Sequence, residues 1–425
     1  MTVKATVRAI SGGVAIAILG LVTLGLRAEP QPALEPTPTL KSIPKPISKP
    51  ISKPISKPIS KPIPKIAPKP IPAPPIRLLR TRPEAIALDS QILNDRDRML
   101  QALDHSIRYL QTSNAARAYQ RYPVSGVSRD RVLRSVRRFR ALVQSAKSPE
   151  ALQKQVNQEF SFYESSGKDG EGAVGFTGYF EPVYEASQTP TEIFRYPLYR
   201  QPRGFSRWSK PHPTRSMLEG TDGLQASAGK LKNSELVWMR DRLEAFLVQV
   251  QGSARLDLTD GTQMSIGFDG NTDYPYVGIG RELVKDQKFT LENLNLPTIL
   301  QYFQTHPADL DEYLPRNNRF VFFRNTQGAL ATGSLGVPVT AGRSIATDKT
   351  RMPPGALALI VAELPDDRLQ PQLMNRFVLD QDTGGAIIGP GRVDLFMGTG
   401  NLAKAKAGMV RSEGKLYYLL LKICC

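Results

Sequence analysis

The sequence predicts a mainly β protein with N-terminal helices, its strands rolled into barrels. From Ile86 to Phe160 the apolar residues recur at helical spacing. From Phe176 onward they fall into short runs rich in Val, Ile, Tyr and Phe, punctuated by glycine, proline and polar turns. No helical period alternates with those runs, so barrels fit better than a parallel α/β sheet. At 425 residues the chain has room for two or three domains with ample cores.

The first thirty residues read MTVKATVRAISGGVAIAILGLVTLGLRAEP, in which Lys4 and Arg8 precede an apolar stretch from Ala9 to Leu26. This is the pattern of an export signal or short membrane anchor. Leu26-Arg27-Ala28 is a poor cleavage site, which favours an uncleaved signal anchor. No cysteine stands at the end of the apolar run, which excludes a bacterial lipoprotein anchor. The protein is therefore expected outside the inner membrane. Residues 30–75 are low-complexity, with KPIS repeated from Lys45 to Ser60. Their prolines favour polyproline II, which at full extension reaches about 140 Å. The segment reads as a spacer or as a cationic tether. The chain carries a net charge of +17, and more than half of it lies in the first 75 residues, which hold eleven basic side chains and two acidic ones. Such a balance suits an anionic partner: nucleic acid, anionic lipid or an acidic wall polymer. Cys424 and Cys425 are adjacent and terminal, and the three histidines lie far apart, so neither a disulfide framework nor a zinc site is indicated.

Three helices come next. The first turns Ile92, Met99, Leu103, Ile107 and Leu110 inward, and the second Val132, Val136, Phe139 and Val143, with five arginines from Arg131 to Arg140 on its other faces. The third begins at Ser148-Pro149, an N-cap followed by proline at the first helical position, and buries Leu152, Val156 and Phe160. FTGYFEPVYEAS (176–187) then reads as an aromatic strand that bends at Gly178 and Pro182. Tyr179, Phe180 and Tyr184, beside Glu181 and Glu185, suit either sugar stacking or a packed core, and the pattern leaves both open. Further along come the strand-like run Ala245–Gln251, a hairpin in QGSARLDLTDGTQ, the polar loop 267–280, a strand at Phe320–Phe323 and a closing strand at Leu416–Ile423.

The run RFVLDQDTGGAIIGPGRVDLFMGTG (376–400) carries the chemistry. Two apolar strands flank a glycine-rich turn with Gly384, Gly385, Gly389 and Gly391, which allow close backbone approach. Asp382 and Asp394 stand at its two mouths. If the two runs pair with each other, desolvation and like charge raise one carboxyl's pKa and suit it to general acid work. The plainer alternative is a hairpin with two solvated aspartates. The chain has no nucleophile elbow, phosphate-binding loop or HExxH, and Gly278-Ile279-Gly280 lacks the third glycine of a dinucleotide site. DTG also opens the catalytic loop of aspartic proteases, but a single copy would need a homodimer.

Six motifs in this order resemble the membrane-bound lytic murein transglycosylase A family: FTGYFEP, LVQVQGSARL, GFDGNTDYPYVGIG, FVFF, AGRSIATDKTRMPPG and DTGGAIIGPGRVDLFMGTG. The resemblance covers roughly residues 85–423 and includes a C-terminal three-aspartate module with Asp348, Asp382 and Asp394. It implies a double-psi β-barrel (77–190 and 320–425) with a smaller β-barrel domain (191–319) inserted and a glycan groove between them, behind a signal segment (1–28) and a linker (29–76). It further implies a lytic transglycosylase that cleaves the bond from N-acetylmuramic acid to N-acetylglucosamine and leaves 1,6-anhydromuramic ends. Asp394 would be the acid/base and Asp382 its partner; Asp348, just before the turn signal Met352-Pro353-Pro354-Gly355, reads from its position as structural, capping or bonding that turn. Substrate contacts would come from Gly178, Tyr179, Phe180 and Glu181, from Gln251, Gly252 and Ser253, and from Gly384 and Gly385. No cofactor or metal is expected, and the partner is peptidoglycan rather than nucleic acid, bound by a monomer in the periplasm or cell envelope, with membrane contact through the N-terminal segment. The chain departs from the family's pattern in lacking the lipid-anchor cysteine and in carrying the Lys-Pro tether. A non-catalytic peptidoglycan-binding scaffold and a water-using muramidase are the alternatives.

Overall fold

The computed structural model describes residues 74–78, 86–226, 229–291 and 293–423. The signal segment, nearly all of the Lys-Pro linker, and Cys424 and Cys425 lie outside the described residues. Among the described residues no helix is long and apolar enough to cross a membrane.

After a short strand β1 (Ile76–Leu78) come helices α1 (Arg96–Leu110), α2 (Ser113–Gln120), α3 (Arg129–Ser145) and α4 (Pro149–Glu159). Ser148 caps α4 through Ala151 N, with Pro149 in the first turn, as the sequence implies. The predicted inward residues of α1 and α3 are buried or nearly so, in one core shared with the barrel. One of the five arginines departs from its expected exposed face. Arg131 is buried, donating to the carbonyls of Gly126 and Leu421 and to the Tyr163 hydroxyl. It thereby ties α3 to the last strand of the barrel.

The large sheet contains, besides β1, the strands β2 (Phe160–Ser165), β3 (Val174–Glu181), β10 (Ser344–Ala346), β11 (Leu357–Pro365), β12 (Pro371–Asp382), β13 (Arg392–Thr399) and β14 (Arg411–Leu421). Hydrogen bonding runs β14-β11-β12-β10-β13-β3 and returns to β14, so six strands close on themselves. The pairs β3–β13 and β10–β12 are parallel and the others antiparallel. This is the double-psi barrel that the resemblance implies, with β2 and β1 continuing outward from β14.

Pro182, which has no N–H to donate, ends the barrel's share of the chain. Strands β4 (Val183–Ser187), β5 (Tyr196–Tyr199), β6 (Glu235–Met239), β7 (Ser253–Leu258), β8 (Gln263–Asn271) and β9 (Val321–Asn325) form the second sheet, in the order β5-β6-β4-β7-β8-β9. The sheet curls until Tyr199, at the end of β5, meets Phe320, just before β9, with ring centroids 5.7 Å apart. The inserted sheet thus runs from 183 to 325, wider than the expected 191–319. The strand at Phe320–Phe323 belongs to it and not to the barrel, because it pairs with β8.

Helices α5 (Arg215–Glu219), α6 (Arg242–Gln251), α7 (Ile279–Lys285), α8 (Leu296–Thr305) and α9 (Leu310–Tyr313) complete the insert. The expected strand at Ala245–Gln251 is the helix α6. Asp241 caps it through Glu244 N at 2.9 Å, and Gly252, at φ +82°, closes it. Ala245 and Val248 pack on the sheet, while Leu243, Phe246 and Leu247 pack on the small helices. A helix buried on two sides shows no polar stripe, so its sequence passes for a buried strand. Helix α10 (Asn401–Met409) lies between β13 and β14, and the closing strand starts at Arg411 rather than Leu416.

Candidate active site

Asp382 and Asp394 do not lie on two paired strands. β10 runs between β12 and β13, with Ala346 opposite Asp382 on one side and Asp394 on the other. Two strand spacings separate their backbones by roughly 10 Å. The expected hairpin is replaced by a three-strand arrangement because the glycine-rich turn crosses over the end of β10.

The tripeptide Asp380-Gln381-Asp382 makes the arrangement work. Ile345 pairs with Asp380 and Ala346 with Asp382, so Gln381 is an extra residue that bulges the strand and re-aims the side chain of Asp382. Gln381 is fully buried, donating to Ala102 O and Ser106 Oγ and accepting from Ser344 Oγ. Asp380 points into the barrel, where it accepts from Thr347, Tyr418 and Lys349; burial raises its pKa despite the lysine. Asp382 alone turns outward. Its Oδ2 accepts from the Tyr179 hydroxyl at 2.8 Å, and its Oδ1 from Ser334 N at 2.7 Å and Thr383 N at 2.8 Å. All three contacts are donors, so Asp382 is held as an acceptor.

Asp394, on β13, sits beside Thr177 on β3. The Thr177 hydroxyl donates to Asp394 Oδ1 at 2.9 Å, while Arg392 donates to Thr177 Oγ1 at 3.2 Å. Burial raises the Asp394 carboxyl to a pKa of about 6, with Asp382 adding to the rise and Thr177 and Arg392 opposing it. Because the threonine hydrogen points at Oδ1, a proton on Asp394 belongs on Oδ2. Asp348 ties the glycine-rich turn down, accepting from Thr350 N and Oγ1 and, at 2.7 Å, from Gly389 N. Burial works to raise its pKa, but those hydrogen bonds prevail and lower it.

The FTGYFEP motif now has a physical explanation. Thr177 and Tyr179 share one face of β3 and hold Asp394 and Asp382 respectively. Gly178 faces the other way, where a Cβ would stand 2.8 Å from Ala407 Cα of α10. Phe180 is buried against Ala403 and Ala407, so it is core and not a sugar platform. Glu181, 1% exposed, accepts from Arg255 and from the Thr399 hydroxyl. Neither is free to meet a ligand, because strand alternation turns Phe180 toward α10 and the crossover at Pro182 encloses Glu181. Gln251, Gly252 and Ser253 lie partly exposed where α6 meets β7, and Gln251 Oε1 accepts from Phe180 N at 3.1 Å, linking insert to barrel. Gly384 and Gly385 are exposed, and a Cβ on Gly385 would stand 3.1 Å from Tyr276 Cβ and 3.3 Å from Arg319 Nε of the insert.

Sequence reasoning did not single out Thr177, Arg392, Ser334, Tyr276 or Arg319. Thr177 was findable, since it stands two residues before Tyr179 in the same motif; the others depend on chain segments that only folding brings together. A separate cavity of about 700 Å³, between the start of α1 and the β11–β12 hairpin, contains none of the expected site residues.

Comparison with known proteins shows the family to which these motifs belong. The MltA specific insert domain matches residues 175–324 and the 3D domain matches residues 343–420. Membrane-bound lytic murein transglycosylase A of Escherichia coli K12 is 30% identical over 261 residues, 60% of this chain and 68% of that protein. The Vibrio cholerae protein of the same name is 31% identical over 264 residues, with the same two coverages. Among solved structures, a membrane-bound lytic murein transglycosylase from Agrobacterium tumefaciens superposes with a TM-score of 0.62 at 25% identity, covering 81% of this chain and 97% of that one. Escherichia coli MltA with bound chitohexaose gives 0.64 at 24% identity, covering 82% and 95%, a likeness of fold. With two domain matches in register and 30% identity across two thirds of a curated relative, the chain belongs to the membrane-bound lytic murein transglycosylase A family.

Proposed function

We propose that this family member is a lytic transglycosylase of peptidoglycan glycan strands with Asp394 as its single acid/base. Protonated on Oδ2, Asp394 gives its proton to the oxygen bridging C1 of N-acetylmuramic acid and C4 of N-acetylglucosamine. The C1–O bond breaks toward an oxocarbenium-like state, and the muramic acid's own C6 hydroxyl attacks C1. The hydroxyl's proton returns to Asp394, leaving a 1,6-anhydro end with no water consumed. The nucleophile is part of the substrate, so proximity takes the place of an activated water.

The observation that carries this reading is the asymmetry of the two carboxyls. Burial holds Asp394 in the range where a carboxylic acid is still partly protonated near neutrality. Asp382 has both oxygens occupied by protein donors. A glycoside hydrolase usually uses a second carboxylate to activate water or attack the sugar, which makes Asp382 a poor fit to a water-using muramidase. Its better fit is to place charge beside Asp394 and to fix Tyr179. In this reading Gln251, Gly252, Ser253, Gly384 and Gly385 border the strand, and Asp348 acts through the glycine-rich turn. The chitohexaose bound in the Escherichia coli structure supports an extended sugar ligand here as well. We further place the protein in the cell envelope as a monomer, exported by its N-terminal segment and held there by it.

Muropeptides released from purified sacculi test the reaction by mass. Products lighter by one water than reducing muropeptides, absent with Asp394→Asn, are expected. Reducing muramic ends would mean a hydrolase, and undiminished release by Asp394→Asn would remove Asp394 from its role.

A further inference from the structure

The site brings together two arginines that form no ion pair among the described residues, Arg319 from the insert and Arg392 from β13 of the barrel. Arg319, just before β9, donates to Asn271 Oδ1 at 2.9 Å, and burial depresses its pKa with no carboxylate to counter it. Arg392 donates to Thr177, and its Nε is buried without a hydrogen-bond partner. Among the described residues neither forms an ion pair, nor does Arg281 at the rim. Elsewhere Arg215 is paired with Glu219 and Arg343 with Asp89 and Asp95, while Arg131 is satisfied by two carbonyls and the Tyr163 hydroxyl.

Tyr276 and Arg319 both stand against Gly385, and the Tyr276 hydroxyl lies within electrostatic reach of Arg281, Arg392 and Asp394. Partly desolvated guanidinium groups without counter-charge are costly, and a carboxylate is the ligand that a guanidinium fork recognises. The sugar rings of a murein strand are neutral. Acidity enters only through the lactyl arm of muramic acid, either as its own carboxyl or on a peptide attached to it.

We propose that Arg319 and Arg392 form a carboxylate subsite beside Asp394, which takes the acidic group carried on the lactyl arm of a muramic acid in the groove. The proposal rests on the glycan-strand reading above. It has an electrostatic consequence: a carboxylate bound to Arg392 offsets that residue's pull on Asp394, so the charged substrate favours the protonated acid.

The test is a binding measurement on the full-length protein with Asp394→Asn, which removes turnover. The probes are glycan strands stripped of peptide, with free lactyl carboxyls; the same strands with those carboxyls converted to amides; and strands that retain their stem peptides, with and without amidation. The acid form is expected to bind about tenfold tighter than its amide, as fits a charge-assisted fork. Arg319→Gln should bring that ratio close to one. Preference confined to the stripped strands assigns the subsite to the lactyl carboxyl, and preference confined to peptide-bearing strands assigns it to the stem; either supports the proposal. Equal affinity for acid and amide in both strand types overturns it. That comparison needs no change at Arg319, so a variant that fails to fold does not shelter the idea. Muropeptide masses from the unsubstituted protein test the reaction separately.

Discussion

Asp394 joins two requirements that pull against each other. On the proposed role its carboxyl must hold a proton near neutral pH, yet it must stay aligned by hydrogen bonds that prefer the charged form. Burial wins and places the pKa at about 6. On the proposed role, activity falls about tenfold per pH unit above that value, as the protonated fraction declines. Thr177 opposes the rise, so Thr177→Val should move the alkaline limb of the pH–rate profile upward; a limb that stays in place would exclude Thr177 as a positioning residue. Stability obeys the same linkage. Asp394 binds its proton more readily in the folded than in the unfolded chain, so its contribution is most favourable below about pH 4 and is lost as pH rises through about 6. Above that, ionised Asp394 costs on the order of 3 kcal/mol. Asp394→Asn should therefore stabilise the protein at pH 7.5 and have little effect at pH 4, as read from urea midpoints at the two values.

The strand β3 shows how much one element carries. One face presents Thr177 and Tyr179 to the two carboxyls, and the other packs Gly178 and Phe180 beneath α10. Gly178→Ala would drive a methyl to within 2.8 Å of Ala407 Cα, and backbone cannot yield as a flexible side chain does. A loss of about 1–3 kcal/mol is expected from overpacking, visible in the urea midpoint. Because α10 holds the back of β3, activity should fall with stability while the pH midpoint stays in place. The aromatic content and bend of this strand are legible in the sequence; the division of labour between its faces is not. Alternation assigns residues to two faces, but which face meets the carboxyls depends on β13 pairing alongside. Likewise α6 passes for a strand in the sequence, because burial on both sides removes the periodicity that marks a helix.

The two lobes are joined where the chain leaves the barrel at Pro182, and Glu181 is the bolt. It accepts from Arg255 of the insert and from Thr399 of the barrel while almost fully buried. Glu181→Ala leaves Arg255 and the Thr399 hydroxyl without their acceptor; because Arg255 is 37% exposed and can turn to water, a loss of about 1–3 kcal/mol is expected. Faster hydrogen exchange in β4 and β7 than in β11 and β12 would show that the junction rather than the barrel has loosened; uniform protection would refute that role.

The motifs, through the family they resemble, pointed to the barrel with its insert and to a glycan as the ligand; the residues by themselves marked short strands fit for barrels and the pair Asp382 and Asp394, because glycine-rich turns and isolated carboxylates between apolar neighbours are local features that survive being read one residue at a time. Helices α1, α3 and α4 were equally plain, since each has a single apolar face against the barrel. Folding alone decided that β10 separates the two aspartates, that Gln381 bulges to turn Asp382 outward, and that Arg319 of the insert comes to stand over the turn at Gly385. Each of these joins segments tens to hundreds of residues apart, and the desolvation that tunes Asp394 arises only when those segments close around it.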